Sequence, residues 1–217
     1  DRALDGLKQV LHASGTRLLS IVIPRLLEDR PLTIASCRAL AASAAVAESE
    51  ITPYLTDIVG AMVLTIEAVD EDSSSESMAV KSLEELLGAV SSASNDSGHL
   101  LLEKVFPAFN DVHIRRRKAA GYLCSAFCRG SKSDVVACCA ASMLEVLIRQ
   151  LTDSSEEVVL ASWHALQELA FCVPSEVLCV HVPIIRQALR AACSGVQVGD
   201  PDAVIAGLNI DKGPAPF

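Results

Sequence analysis

Aromatic residues are scarce in this chain, at 4 % of 217 positions, although hydrophobic residues as a whole reach 51 %. A core must therefore be assembled from Ala, Leu, Val, Ile and Cys. That palette suits close helix–helix packing better than a β-sandwich, which favours aromatic and β-branched side chains. Basic residues are outnumbered by acidic ones, 18 to 27. A formal net charge of −9 argues against a general nucleic-acid binder, because counterion release needs a basic face, and no direct DNA binding is expected. No apolar run attains the ~18 residues of a membrane helix; the stretch Ile58–Val69 is interrupted by Glu67. The opening Asp1-Arg2-Ala3-Leu4-Asp5 is charged and lacks the apolar core of a signal peptide. It also lacks an initiator Met, as expected of a fragment. Phosphate-cradling loops of the GxGxxG or GxxxxGK[ST] kind are missing.

What the chain does hold is eight cysteines: Cys37, Cys124, Cys128, Cys138, Cys139, Cys172, Cys179 and Cys193, most of them inside apolar stretches. A secreted disulfide scaffold is smaller and sets its cysteines in loops. These read as small core residues in a reducing cytosol, so the expected localisation is cytoplasmic. The sequon Asn95-Asp96-Ser97 is then idle.

Repetition is the strongest signal. A small residue followed four or five places later by Leu occurs at Ala35…Leu40, Ala79…Leu83, Ala119…Leu123 and Ala161…Leu166, and the leading alanines lie 44, 40 and 42 residues apart. Helical hairpins of this length belong to α-solenoids of the HEAT and armadillo type. The pattern predicts an opening helix near 2–13, then hairpins at about 16–46, 52–93, 98–128 and 134–172, and a half unit at 175–193. First helices fall at 16–28, 52–69, 98–109, 134–151 and 175–192; second helices fall at 32–46, 76–93, 112–128 and 155–172. Polar breaks such as Asp29-Arg30-Pro31, Asp70–Ser75 and Asp153-Ser154-Ser155 supply caps, and Ser154 with Glu157 has capping-box spacing. Nothing alternates with period 2, so strands are not expected. Residues 194–217, with four glycines and three prolines, have the composition of a linker.

One unit resembles a HEAT repeat in detail. Such units carry a Pro in the first helix, an Asp in the turn and an Arg six residues later, and Pro107, Asp111 and Arg117 stand in those places, followed by small Ala119 and Ala120. The resemblance implies that Asp111 and Arg117 take part in an Asp-to-Arg ladder between units. Pro24 and Asp29 match in the first unit without the Arg. In the fourth, Asp153 matches while Val159 replaces the Arg.

Catalysis and metal binding are weakly supported. Five histidines and eight cysteines allow a Cys/His pair arithmetically, yet no cysteine sits at an exposed helix start beside basic residues, where its pKa would fall. Cys124 and Cys128 share a helix face, but a structural zinc needs four ligands, and adjacent Cys138 and Cys139 cannot converge on one point. No catalytic residue, metal or cofactor is expected. The single Trp163 reads as a seam residue, and the acidic, serine-rich run Asp70–Glu76 as a loop. The run Arg115-Arg116-Arg117-Lys118 stands out against the acidic background. Consecutive helical residues turn about 100° each, so the four cannot share a face. With Arg117 assigned to the ladder, Arg115, Arg116 and Lys118 are expected to project outward. Arg186 and Arg190 form an i, i+4 pair on the last helix. These five are the candidate partner-binding residues, suited to carboxylates of a partner domain or to ribosomal RNA phosphate.

The stretch LTDSSEEVVLASWHALQELA, with HVPIIRQALRAA and LNIDKGPAPF, resembles the family of very large ribosome-associated activators of the general amino acid control pathway. Lys212-Gly213 match a Leu-Pro-Lys-Gly-like segment of that family, with Ile210-Asp211 in place of Leu-Pro. The resemblance implies a cytoplasmic scaffold that associates with ribosomes through the full-length protein. It also implies a partner, the RWD domain of the kinase that phosphorylates initiation factor two alpha. The alternative left open by the residues is a generic HEAT adaptor of a transport, phosphatase or tubulin system.

Overall fold

The structure is a computed structural model that describes the backbone of residues 2–68, 75–94 and 96–193; the side chains of 15, 16, 75–79, 184 and 187–193 are outside that description. Of the expected loop over Asp70–Glu76, residues 70–74 fall outside the described residues while Ser75 and Glu76 open a helix, and the expected linker over 194–217 also falls outside them. Within them the chain is an all-α solenoid without strands: α1 (Arg2–Ser14), α2 (Leu19–Leu26), α3 (Ile34–Ala47), α4 (Leu55–Glu67), α5 (Ser75–Ser91), α6 (Ser97–Val105), α7 (Ile114–Gly130), α8 (Ser133–Gln150), α9 (Glu156–Cys172) and α10 (Ser175–Cys193). No helix among the described residues is long and apolar enough to cross a membrane.

The helices form two layers. Helices α4, α6, α8 and α10 stack successively in the first layer, and α1, α3, α5, α7 and α9 in the second. The core between them is aliphatic, as the shortage of aromatics requires. Leu40, Leu83, Leu123 and Leu166 are all buried, one per unit. The small residue that precedes each Leu keeps a stricter register than the sequence pattern showed. Ala35 is exposed, and Ser36 is buried in its stead. Ser36, Ala119 and Ser162 thus occupy the buried position four residues before the Leu, which is the spacing of one helical face.

Proline shapes the first-layer helices. Around Pro53 and Pro107, residues Glu48–Tyr54 and Phe106–Asn110 are 3-10 rather than α-helical. A proline lacks the N–H that an α turn would need and crowds the preceding turn, so the tighter winding is used there. The caps differ from those the sequence singles out. Thr33 caps α3 by accepting the N–H of Ser36 at 3.1 Å. The Ser154/Glu157 capping box is not used: α9 begins after Ser155, whose side chain makes no cap, and Asp153 instead accepts the Ser155 N–H at 2.8 Å.

Successive second-layer helices approach closely enough to exclude side chains. A Cβ placed on Gly88 would lie 2.1 Å from the carbonyl oxygen of Gly130, and one on Gly130 would lie 2.2 Å from that of Glu84. Helices α5 and α7 therefore cross backbone to backbone. One crossing later, a Cβ on Gly121 would meet the Ala161 methyl at 2.9 Å. Gly60 in α4 has open space around it. Helical Gly→Ala is ordinarily stabilising by about 0.5–1 kcal/mol, and Gly60→Ala should raise the denaturation midpoint accordingly. Gly88→Ala and Gly130→Ala should reverse the sign and lower stability by about 1–3 kcal/mol, as overpacking does; equal effects at the three sites in guanidinium melts would contradict the crossing.

Candidate binding surface

The turn between the two helices of the third unit organises the basic run. One Asp111 carboxylate oxygen accepts the His113 N–H at 2.8 Å, and the other accepts from Arg116 Nη1 at 3.0 Å. Both contacts hold the Asp111 carboxyl below the usual carboxylate range, the backbone N–H foremost. Arg116 also reaches back to the second unit, with Nε 3.4 Å from Glu67 Oε1. Arg117 reaches forward. Its Nε and Nη2 donate to the two oxygens of Asp153 at 2.7 and 3.0 Å, while Nη1 donates to the backbone carbonyls of Asp111 at 2.9 Å and Val112 at 3.3 Å. This is a bidentate pair between largely buried side chains, 14 % and 9 % exposed, the geometry in which Arg is strongest. Its guanidinium holds the Asp153 carboxyl below the ordinary range.

The ladder therefore joins Arg117 to Asp153 of the next unit and meets Asp111 only at its carbonyl oxygen. Lys118, expected to project outward, is instead only 15 % exposed, donates to Glu157 at 3.0 Å and lies 5.9 Å from the centre of the Tyr122 ring. Arg116 is likewise taken up by two carboxylates. The physical reason is the repeat itself: each turn of the solenoid sets the cations of one unit beside the acidic turn and helix start of its neighbours. Arg115 alone of the four is exposed without an ion pair to any described residue. Arg186 is half-buried and engaged within the chain. The side chain of Arg190 is outside the described residues.

A second clamp escaped the sequence reading. Arg129 Nε donates to Glu84 at 2.6 Å, and its Nη1 donates to Glu168 at 2.9 Å and to the Ser125 hydroxyl at 2.8 Å. One guanidinium thus ties α5, α7 and α9 together beside the Gly88–Gly130 crossing. No local motif marks it, because its partners lie 45 residues before and 39 after.

Four of the described cysteines, Cys37, Cys124, Cys128 and Cys139, are packed rather than poised. Burial pushes the thiols of Cys37 and Cys139 up to about 11 and that of Cys124 up to about 12, and raises Cys128 further. Cys138 is exposed where its neighbour Cys139 is buried, so the two diverge. No group of three His, Cys, Asp or Glu side chains able to hold a metal occurs among the described residues. Trp163 is partly buried against the core.

A family model described as "Stalled ribosome sensor GCN1-like, HEAT repeats" matches residues 18–212. The chain belongs to this family. It is 28 % identical over 190 residues to Protein ILITYHIA of Arabidopsis thaliana, covering 88 % of the chain and 7 % of that protein. To the Stalled ribosome sensor GCN1 of Homo sapiens it is 30 % identical over 169 residues, which is 77 % of the chain and 6 % of that protein. The chain thus spans a small fraction of its GCN1-like relatives. Among solved structures, a designed armadillo repeat protein matches over 96 % of the chain with a TM-score of 0.39 at 18 % identity. The GCN1-like assignment rests on sequence.

Removing one partner of the ladder strands the other charge. Arg117→Ala should destabilise the chain by about 3 kcal/mol, and Arg117→Lys should not restore it, because an ammonium cannot make the two-pronged contact; full rescue by Lys in urea melts would refute the bidentate account. The acid response follows from the depressed Asp153 pKa. A carboxyl whose native pKa lies below its unfolded value, about 3.9, stabilises fully above that value and loses the contribution as pH falls through the native one. Stability should therefore drop below about pH 4, and Asp153→Asn should be less stable at neutral pH with a shallower acid loss. Thiol alkylation of native chain should label Cys138 rapidly while Cys124, Cys128 and Cys139 react only on unfolding. A fast-reacting buried cysteine would reopen the catalytic reading.

Proposed function

We propose that this chain is a protein-binding segment of a ribosome-associated scaffold, and that it engages the RWD domain of the kinase that phosphorylates initiation factor two alpha in amino acid starvation. Membership of the GCN1-like HEAT family over residues 18–212 carries the reading. The human relative bears the name Stalled ribosome sensor, which supports a cytoplasmic setting on or near ribosomes. The resemblance of the C-terminal third to the kinase-activating family supports the kinase partner.

The geometry supports binding rather than chemistry. The thiols of Cys37, Cys124, Cys128 and Cys139 are raised by burial rather than activated, and the strongest polar contacts join one unit to the next. A braced solenoid loses little freedom when a partner docks. It can also raise the local concentration of a tethered kinase near its stimulus without any new catalytic group. Arg115 on α7 and Arg186 and Arg190 on α10 are the cations assigned to the partner, Arg186 by exchanging a contact it makes within the chain; Arg116 and Lys118 are held by Glu67, Asp111 and Glu157.

Titration of the isolated RWD domain into the chain, followed by calorimetry, tests the reading. Saturable binding that weakens with salt is expected, and absence of binding by the wild-type chain sinks the kinase partner in favour of a generic adaptor. Arg186→Ala combined with Arg190→Ala should weaken binding roughly tenfold. An unchanged affinity would remove only the α10 assignment.

A further inference from the structure

We propose that the turn Asp111–Arg115 is a docking knob, in which Val112 and Ile114 enter an apolar pocket of a partner protein and Arg115 meets carboxylates at the rim of that pocket. The inference rests on the RWD-binding reading above and names the contact site for it.

Three observations carry it. The turn exposes two large aliphatic side chains, Val112 at 85 % and Ile114 at 46 %, at the start of α7 in the middle of the stack. It is also stiff. The Asp111 carboxylate takes the His113 N–H, and the Arg117 guanidinium takes the carbonyls of Asp111 and Val112 while anchored on Asp153 of the next unit. A turn whose backbone is pinned from the inside gives up little entropy when its outward side chains are buried by a partner. The third observation is charge. In sequence the run Arg115–Lys118 invites an RNA phosphate backbone, but Glu67, Asp111, Asp153 and Glu157 absorb three of its four cations.

What remains is one unpaired, exposed guanidinium beside two bare aliphatic side chains. Phosphate recognition draws its affinity from several cations releasing counterions together, and a single one flanked by Val and Ile is poorly suited to it. Arg is one of the residues enriched at protein–protein hot spots, and the two aliphatic side chains beside it supply apolar area for a partner to bury. The complementary surface is accordingly a hydrophobic pocket edged by Asp or Glu.

The test uses the intact chain and two probes, the isolated RWD domain and a ribosomal RNA hairpin. Val112→Ser with Ile114→Ser should weaken RWD binding roughly tenfold or more, with little salt dependence in the loss. Arg115→Glu should weaken it to a similar degree, and most at low salt, where the charge reversal is least screened. Melting temperature is the folding control, and if the double variant melts early, Arg115→Glu and Val112→Ser alone decide the matter. Wild-type affinity retained by these variants overturns the knob and leaves the kinase reading standing. No binding by the wild-type chain overturns both. Loss of RNA binding on Arg115→Glu with RWD binding intact also overturns it, and would assign the turn to ribosomal RNA.

Discussion

Helices α5 and α7 meet where Gly88 faces the carbonyl of Gly130, a separation that leaves no room for a Cβ. That approach sets how far apart consecutive units stand, and the polar contacts between them depend on it. Arg129 can span from Glu84 to Glu168 because its own helix lies tight against both neighbours. At the other end of the same helix, Arg117 can hold both oxygens of Asp153 because the next turn is brought within one side-chain length. A looser stack would leave those guanidinium groups in water, where ion pairs are worth little. The stack is thus held by shape first and charge second.

The same arrangement decides what the surface offers. An acidic chain with a four-residue basic run offers, on paper, a place for a polyanion. Folding neutralises most of it, since the repeat lays each unit's cations against its neighbours' carboxylates. The residue of that cancellation is a small mixed patch, aliphatic with a single cation, on a turn that the ladder itself braces. In the docking proposed for this turn, stability and recognition share a residue: Arg117 supports the turn that displays Val112, Ile114 and Arg115.

Much of the architecture was legible because a solenoid is nearly one-dimensional, each unit touching only its neighbours. The spacing of Leu40, Leu83, Leu123 and Leu166 reveals the period, and each of them is buried. Local winding was harder. Pro53 and Pro107 turn parts of the first-layer helices into 3-10 segments, which the apolar pattern does not announce. The cap at Ser154 was misread because Asp153, one residue earlier, serves the helix start and the ladder at once. The site was less legible still: Lys118 looked solvent-facing until Glu157 of the next hairpin was placed beside it.

By itself the sequence determined the all-α class, the repeat length and the aliphatic character of the core, since these follow from composition and periodicity along the chain. The resemblance of Pro107, Asp111 and Arg117 to a HEAT unit further implied that Arg117 is a ladder residue. Only the tertiary structure decided which carboxylate Arg117 holds, that Arg129 clamps three helices, and that Arg115 is left over from the basic run. Those outcomes depend on contacts across about forty residues, and a charge has no fixed partner until stacking brings one within hydrogen-bond reach.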